Sequence, residues 1–442
     1  MKLLVLVKKI NKYETLLFLL VFITFVPFRE IISWGSDYAG YILQAKAMIK
    51  QETGNFINKQ IFLSELSIKP KYPIYTPIGM PIIIGLTSFI HNYDIYLVRL
   101  IVPASVFFTA LMIYRKTANY PLFLALMFLI HPSIVDQYKD AVLTESLGML
   151  IFLGATFIKN FKLKTILYIL AIFIRPTFFL LVVCDLFFTQ KNRFVSKFLF
   201  LSLNLLIINF FTKSYFAMNF FGLYRSPKTE FESFTLVEIF YENIINLLTI
   251  ERLLQFFQEI GHIIIGFSNP FNLFFGLVFI SAALIRKNKY SIMIFIFCSI
   301  HVIWDTPSFI RYFIPVIPLT ILWLDAEINQ LKKFIPVLFF SSFVLSGLLF
   351  LNSVNNVQYQ TGPHESESIE MINFVRDLEG QKIISFHSPR TLRLLSEKDS
   401  YWLDGNIFPG SLVACYSLKE NCETIIGYKL IFQNDHYKIF SP

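Results

Sequence analysis

Apolar residues run through this chain in long stretches, and the short gaps between them hold much of its positive charge. Runs of roughly 18 or more apolar residues are long enough to cross a bilayer as helices. Lys8-Lys9, Arg115-Lys116, Lys159 to Lys164, Lys191 to Lys197, Arg286 to Lys289 and Lys332-Lys333 all lie in such gaps. Basic gaps of this kind mark the cytoplasmic side. With them as markers, the pattern predicts span one at about 14–34, leaving the cytoplasm, then a first external segment at 35–94. Spans two, three and four follow at about 95–114, 120–135 and 142–158. The run 164–188 is basic at both ends, which predicts a re-entrant pair of short helices turning at Arg175-Pro176, since proline disfavours helix in the residue before it. Span seven at about 194–212 leads to a second external segment at 213–255. Spans eight to eleven follow at about 260–285, 290–304, 312–325 and 334–351.

After residue 352 the pattern changes to mixed polar and apolar positions. Ile369, Ile372, Phe374 and Val375 give an amphipathic helix over 367–378. The stretches 382–387, 424–434 and 436–441 read as strands, with a tight turn at Asn434-Asp435 between the last two. The predicted fold is therefore mainly α: a polytopic bundle of about eleven spans over 1–352, with a small extracytoplasmic α/β domain at 353–442.

Composition strengthens the membrane reading. Of 442 residues, 55% are hydrophobic and 51 are Phe, whereas only 16% are charged, against about 25% in soluble domains. A soluble chain of this length does not hide so much apolar surface in one core. The net charge of +9 would suit a nucleic-acid ligand, but its confinement to gaps between spans reports topology and anionic headgroups instead. Cys184 and Cys298 lie in apolar runs; Cys415 and Cys422, spaced C-x6-C in the tail, suit a disulfide if that tail is extracytoplasmic. Met1 to Val26 begins like a signal peptide without a small-residue cleavage site, so an uncleaved first span is expected.

Three groups of polar residues break this pattern. Asp37 stands at the exit of span one, followed by Tyr38, Tyr41, Ile42, Ala45, Met48 and Ile49 at helical spacing. That stripe predicts an amphipathic helix along the membrane surface, with Asp37 either capping it or acting as a base. Next, Lys69-Pro70-Lys71-Tyr72-Pro73-Ile74-Tyr75-Thr76-Pro77 is a proline-rich loop of cations and phenols. Lys71 is placed to neutralise a phosphate or a lipid headgroup there, and Tyr38, Tyr72 and Tyr75 are the aromatic candidates for substrate contact. Asp136, Asp140 and Glu145 follow at the entry of span four, where an ionisable group within an apolar run is expensive. Arg175 and Arg311 lie on the external side against the charge bias, suited to a phosphate or to pairing with those acids. No Walker loop, Rossmann fingerprint, zinc motif or serine-hydrolase elbow is present.

Taken together, "GSDYAGYILQAKAM", "KPKYPIYTPIGMP", "DAVLTES", "FIRPTFF" and "RYFIPVIP" resemble the GT-C superfamily of membrane glycosyltransferases. Protein O-mannosyltransferases and lipid A aminoarabinose transferases are the similar branches. The resemblance covers about residues 10–350. It implies inverting transfer of a sugar from a polyprenyl-phosphate donor to a lipid, glycan or protein acceptor on the extracytoplasmic face. The family's first-loop acid is the general base and falls on Asp37; its second acidic site falls on Asp140 or Glu145. Cations should assist the phosphate leaving group, and by position Lys71 and Arg311 are the candidates, with Arg175 behind them. Asp37 is followed by Tyr38 rather than by a second acid, which departs from the mannosyl and aminoarabinose pattern and favours a bacterial-type branch. Some members use a divalent cation; the histidines here are isolated and show no metal-ligand spacing. Two other readings stand beside this one. An O-antigen ligase or polymerase would use residues 213–255, with Arg225, Glu230, Glu232, Glu238 and Arg252. A lipid or glycan transporter would use buried charges such as Arg99 and the 164–188 pair.

Overall fold

A computed structural model of the chain describes residues 11–26, 37–49, 79–140, 143–189, 193–216, 249–265, 272–286, 288–303, 310–327, 366–380, 383–402, 410–417 and 427–442. These residues are mostly helical, with one small sheet near the C-terminus. Helix α1 (Lys12–Phe25) starts at a capping box in which Asn11 accepts from the Tyr13 and Glu14 N–H groups and Glu14 accepts from Asn11. Leu17, Val21 and Phe25 on one face are buried, while Phe18, Phe22 and Ile23 on another are exposed. The helix is apolar on both faces, so its pattern shows where the bundle lies only through burial.

There follow α2 (Asp37–Ile49), α3 (Gly79–Leu86), α4 (Ser88–His91), α5 (Ile95–Arg99), α6 (Ile101–Lys116), α7 (Pro121–Ile130), α8 (Pro132–Asp140) and α9 (Leu143–Phe157). Next come α10 (Phe161–Ile174), α11 (Phe178–Thr189), α12 (Phe194–Phe216), α13 (Ile250–Ile265), α14 (Asn272–Arg286) and α15 (Lys289–Ile303). A 3-10 helix (Ile310–Val316) leads into α16 (Ile317–Glu327). Among the described residues, one continuous helical stretch, Ile95–Lys116, is long and apolar enough to cross a membrane; the other apolar helices found are shorter. Where about eleven full spans are expected, many helices have 10–16 residues, about 15–24 Å at 1.5 Å per residue.

Several boundaries differ from the expected ones for visible reasons. The expected span at 120–135 is two helices, because Pro132 opens α8 immediately after α7 ends at Ile130. The expected single span at 260–285 is also two helices, α13 and α14, which run antiparallel. A Cβ on Gly261 would lie 1.7 Å from the Asn272 carbonyl, and one on Gly276 equally close to that of Phe257. Only glycine admits so close a backbone approach, and the Asn269-Pro270 pair between the helices is a turn signal. The predicted break at Arg175-Pro176 is present: α10 ends at Ile174, Arg175 is extended, and α11 begins at Phe178. Lys164 at the start of α10 reaches Asp185 near the end of α11 at 2.7 Å, so the two helices fold back on one another. The span expected at 334–351 lies outside the described residues.

The C-terminal residues form α17 (Ser366–Asp377), β1 (Ile383–Phe386), α18 (Pro389–Ser396), β2 (Asp399–Trp402), β3 (Leu412–Tyr416), β4 (Lys429–Gln433) and β5 (Tyr437–Ser441). The sheet order is β2-β1-β3-β5-β4, with β1 parallel to β2 and β3, and β5 antiparallel to β3 and β4. The hairpin between β4 and β5 turns at Asn434-Asp435, where the Asn434 N–H donates to Tyr437 O at 3.0 Å. Met371, Ile372, Val375, Phe386, Leu392 and Tyr437 share this domain's core, separate from the main core of the bundle. Cys415 in β3 is disulfide-bonded, Cys184 and Cys298 are free, and Cys422 lies outside the described residues.

Candidate functional site

Asp37 is the first residue of α2; its side chain is outside the described residues. A carboxylate in a first helical turn is favoured by the helix dipole. The stripe expected to lie along the membrane surface is instead buried in protein: Tyr38, Tyr41, Ile42 and Ala45 are all at most 4% exposed. α2 packs on α3 and on α18 of the C-terminal domain. α3 in turn abuts the end of α10, since a Cβ on Gly79 would stand 2.6 Å from the Phe173 carbonyl. Glycine at 79 thus lets the start of α3 approach the Arg175 turn.

Around Tyr38 sits a set of large side chains. Its phenol hydrogen-bonds Thr391 of α18, and Arg99 lies near enough to act on it electrostatically. Burial pushes the Tyr38 phenol well above its ordinary range; the Thr391 bond and Arg99 pull it back only in part. It is therefore a neutral hydroxyl at physiological pH. Arg99, almost fully buried, donates to the Tyr138 carbonyl at the end of α8 and stands over the Phe25 ring. Those contacts join α1, α2, α5 and α8.

A second cluster joins α8, α9 and α10. Arg175 ion-pairs with Glu145 and donates to the Thr144 hydroxyl at 3.2 Å. Thr144 donates to Glu145 at 2.5 Å, and Ser146 donates to the Gln137 side chain of α8. The 3-10 helix that carries Arg311 packs on α8 and α9. Buried charges need partners of this kind to offset desolvation.

The sequence candidates fall as follows. Glu145 and Arg175 meet directly, so Arg175 has taken the pairing alternative. Tyr38 lies one residue from Asp37 and is buried against Thr391. Asp140 ends α8 and Arg311 lies in the 3-10 helix, but both side chains are outside the described residues. Lys71, Tyr72 and Tyr75 lie outside them altogether, as do Arg225, Glu230, Glu232 and Glu238 of the second external segment. Asp37, Asp140, Glu145, Arg175 and Arg311 thus stand on elements that pack on one another directly or through α3 and Arg99. Among the described residues no group of three or more His, Cys, Asp or Glu side chains could hold a metal ion.

Two members of this arrangement carried little sequence signal as site residues. Arg99 was visible only as a lone cation in an apolar run. Thr391 had no signal, because its role comes from a contact between segments far apart in the chain. No protein-family model matches the chain, and no curated protein matches it.

Proposed function

We propose that this chain is a polytopic membrane glycosyltransferase of the GT-C type. It would transfer a sugar from a polyprenyl-phosphate donor to an acceptor hydroxyl on the extracytoplasmic face, with inversion and with Asp37 as general base. The observation that carries the reading is the packing of the elements that bear the candidates. The start of α2, the end of α8, the start of α9 and the 3-10 helix gather round Arg99, Tyr138 and the Glu145–Arg175 pair. In this reading the acid at the start of α2 is favoured by the helix dipole, and the cations borne by neighbouring elements would assist a phosphate leaving group.

Two observations support the membrane setting. Exposed apolar side chains cover helices whose other faces are already buried, as with Phe18, Phe22 and Ile23 of α1 and Leu199, Leu203 and Leu206 of α12. Such surface suits lipid rather than water. The bonded Cys415 supports an oxidising, extracytoplasmic location for the tail domain. The domain's contact with α2 would put Asp37 on that same side.

In this mechanism the Asp37 carboxylate accepts the acceptor hydroxyl proton as the oxygen attacks the anomeric carbon. The bond to the lipid phosphate breaks, and the departing anion is stabilised by Arg311 and Lys71. Glu145, closed by Arg175 and Thr144, serves to fix α9 against α10. The test is Asp37→Asn in membranes supplied with a labelled polyprenyl-phosphate sugar. Loss of a positioned base should slow transfer about 10²–10⁴-fold. Full retained transfer would remove Asp37 from the role of base.

A further inference from the structure

The C-terminal domain reaches the bundle through α18, which is gripped from both sides. On the domain side, Leu392 lies in the domain's own core, Arg393 pairs with Asp399 of β2 at 3.2 Å, and Arg376 of α17 donates to the Leu395 carbonyl at 2.7 Å. On the other side, Leu394 belongs to the core of the helical bundle. Thr391, fully buried, hydrogen-bonds the phenol of Tyr38. Neighbouring positions of one short helix thus serve two separate cores. The residue they hold, Tyr38, lies in the first turn of α2, directly after Asp37.

We propose that α18 is a latch that fixes the first turn of α2 and so the position of Asp37, making Thr391 and Leu394 positioning residues for the transfer reaction. This rests on the reading of Asp37 as the base. The physical grounds are geometric. The first turn of α2 carries Tyr38, which hydrogen-bonds Thr391 of the tail domain and lies within the electrostatic reach of Arg99. Displacement of a catalytic group by about 1 Å costs on the order of 10²-fold in rate. The domain therefore acts on the orientation of the base rather than on recognition of the acceptor.

The test uses the full chain in lipid nanodiscs, with two readouts. Hydrogen exchange of the α2 amides reports the latch by itself. Transfer of a labelled sugar from a polyprenyl-phosphate donor reports its consequence. Thr391→Val keeps the shape and removes the hydroxyl; it should speed exchange over 38–45 about tenfold, the worth of one hydrogen bond. It should lower kcat by a similar factor, with KM for donor and acceptor unchanged, and Thr391→Ser should restore both readouts. Tyr38→Phe combined with Thr391→Val should be no worse in exchange than either alone, because one shared bond is lost once. Unchanged exchange in Thr391→Val, or a raised acceptor KM with normal kcat, would overturn the latch. If the wild-type chain transfers no sugar at all, the transferase reading fails, and the exchange arm still decides whether α18 holds α2.

Discussion

Both ends of the helical bundle hold a buried ion pair, Lys164–Asp185 at one and Glu145–Arg175 at the other, but they differ in what surrounds it. At the end that gathers the basic gaps, each acid meets a cation or backbone N–H groups. Glu14 meets Arg115 at 2.6 Å, Asp185 meets Lys164 at 2.7 Å and accepts from Tyr168, and Asp325 accepts from the Ala118 and Asn119 N–H groups. Each contact ties separate elements together: α1 to α6, α11 to α10, and α16 to the turn between α6 and α7. At the opposite end, the contacts described for Arg99 are a backbone carbonyl and an aromatic ring, and Tyr38 is held by a residue of the tail domain. Those contacts draw the ends of α1, α5 and α8 towards the start of α2, which carries Asp37. Burial alone therefore does not mark function. Asp185 is fully buried, yet its partners close it into architecture, while the functional reading falls where elements converge.

Breaking the Lys164–Asp185 pair should have the largest effect. Both side chains are at most 4% exposed, and the second cation, Lys289, stands 3.8 Å from Asp185. Lys164→Met leaves a buried carboxylate with its nearest cation removed, which costs roughly 3–5 kcal/mol. Thermal unfolding in detergent, followed by labelling of the buried Cys184 and Cys298 thiols, measures the loss. Lys164→Met with Asp185→Leu should recover most of it, since a well-packed apolar pair is often neutral or better. A loss under about 1 kcal/mol, the range of exposed pairs, would remove the contrast between the two ends.

The Glu145–Arg175 pair separates structure from chemistry at the other end. Both side chains are at most 9% exposed. Glu145→Ala or Arg175→Ala should each destabilise by a few kcal/mol, about 3 by the same reasoning. If pairing is the whole role, Glu145→Arg with Arg175→Glu should restore stability and transfer together. Restored stability with transfer still lost would return Arg175 or Glu145 to the reacting machinery. Arg175→Lys is a milder probe, because one nitrogen, Nη1, makes both the Glu145 and the Thr144 contacts.

How much of this was legible depended on whether the signal was local. The Arg175-Pro176 break follows from proline's effect on its predecessor, and Arg175 is indeed extended. The 367–378 helix and the Asn434-Asp435 hairpin also rest on local patterns, and both are present within a residue or two. By contrast, β2 and β3 carry no local strand signal. Asp399–Trp402 is four mixed residues, and Leu412–Tyr416 is a central strand buried throughout, which lacks the alternation that marks a half-exposed strand. Apolar spacing marks the Asp37 stripe as one helical face but does not say whether lipid or protein covers it. Here protein covers it, with α3 on one side and α18 of the tail on the other. Thr391 and the second role of Leu394 were invisible for the same reason: spacing reports a face, while only the fold reports its partner.

The smallest effect is expected at Arg115, and it sharpens the comparison within one end of the bundle. Arg115 donates to Glu14 through Nε at 2.8 Å and again through Nη2, so the contact is as short as the Lys164–Asp185 pair. The difference is solvent: the Arg115 side chain is 41% exposed, and Glu14 has a second role in the capping box of α1. Water screens such a pair and keeps its net worth to about 0.2–1 kcal/mol. Arg115→Gln should therefore lower stability by less than about 1 kcal/mol, and most of that should vanish in high salt. Glu14→Gln should cost little more, because a glutamine at this position still serves the capping box. Measured beside Lys164→Met in the same detergent, two ion pairs of similar length should differ severalfold. An Arg115→Gln loss that matched Lys164→Met and resisted salt would mean that this end is shielded from water well beyond what the exposure of Arg115 implies.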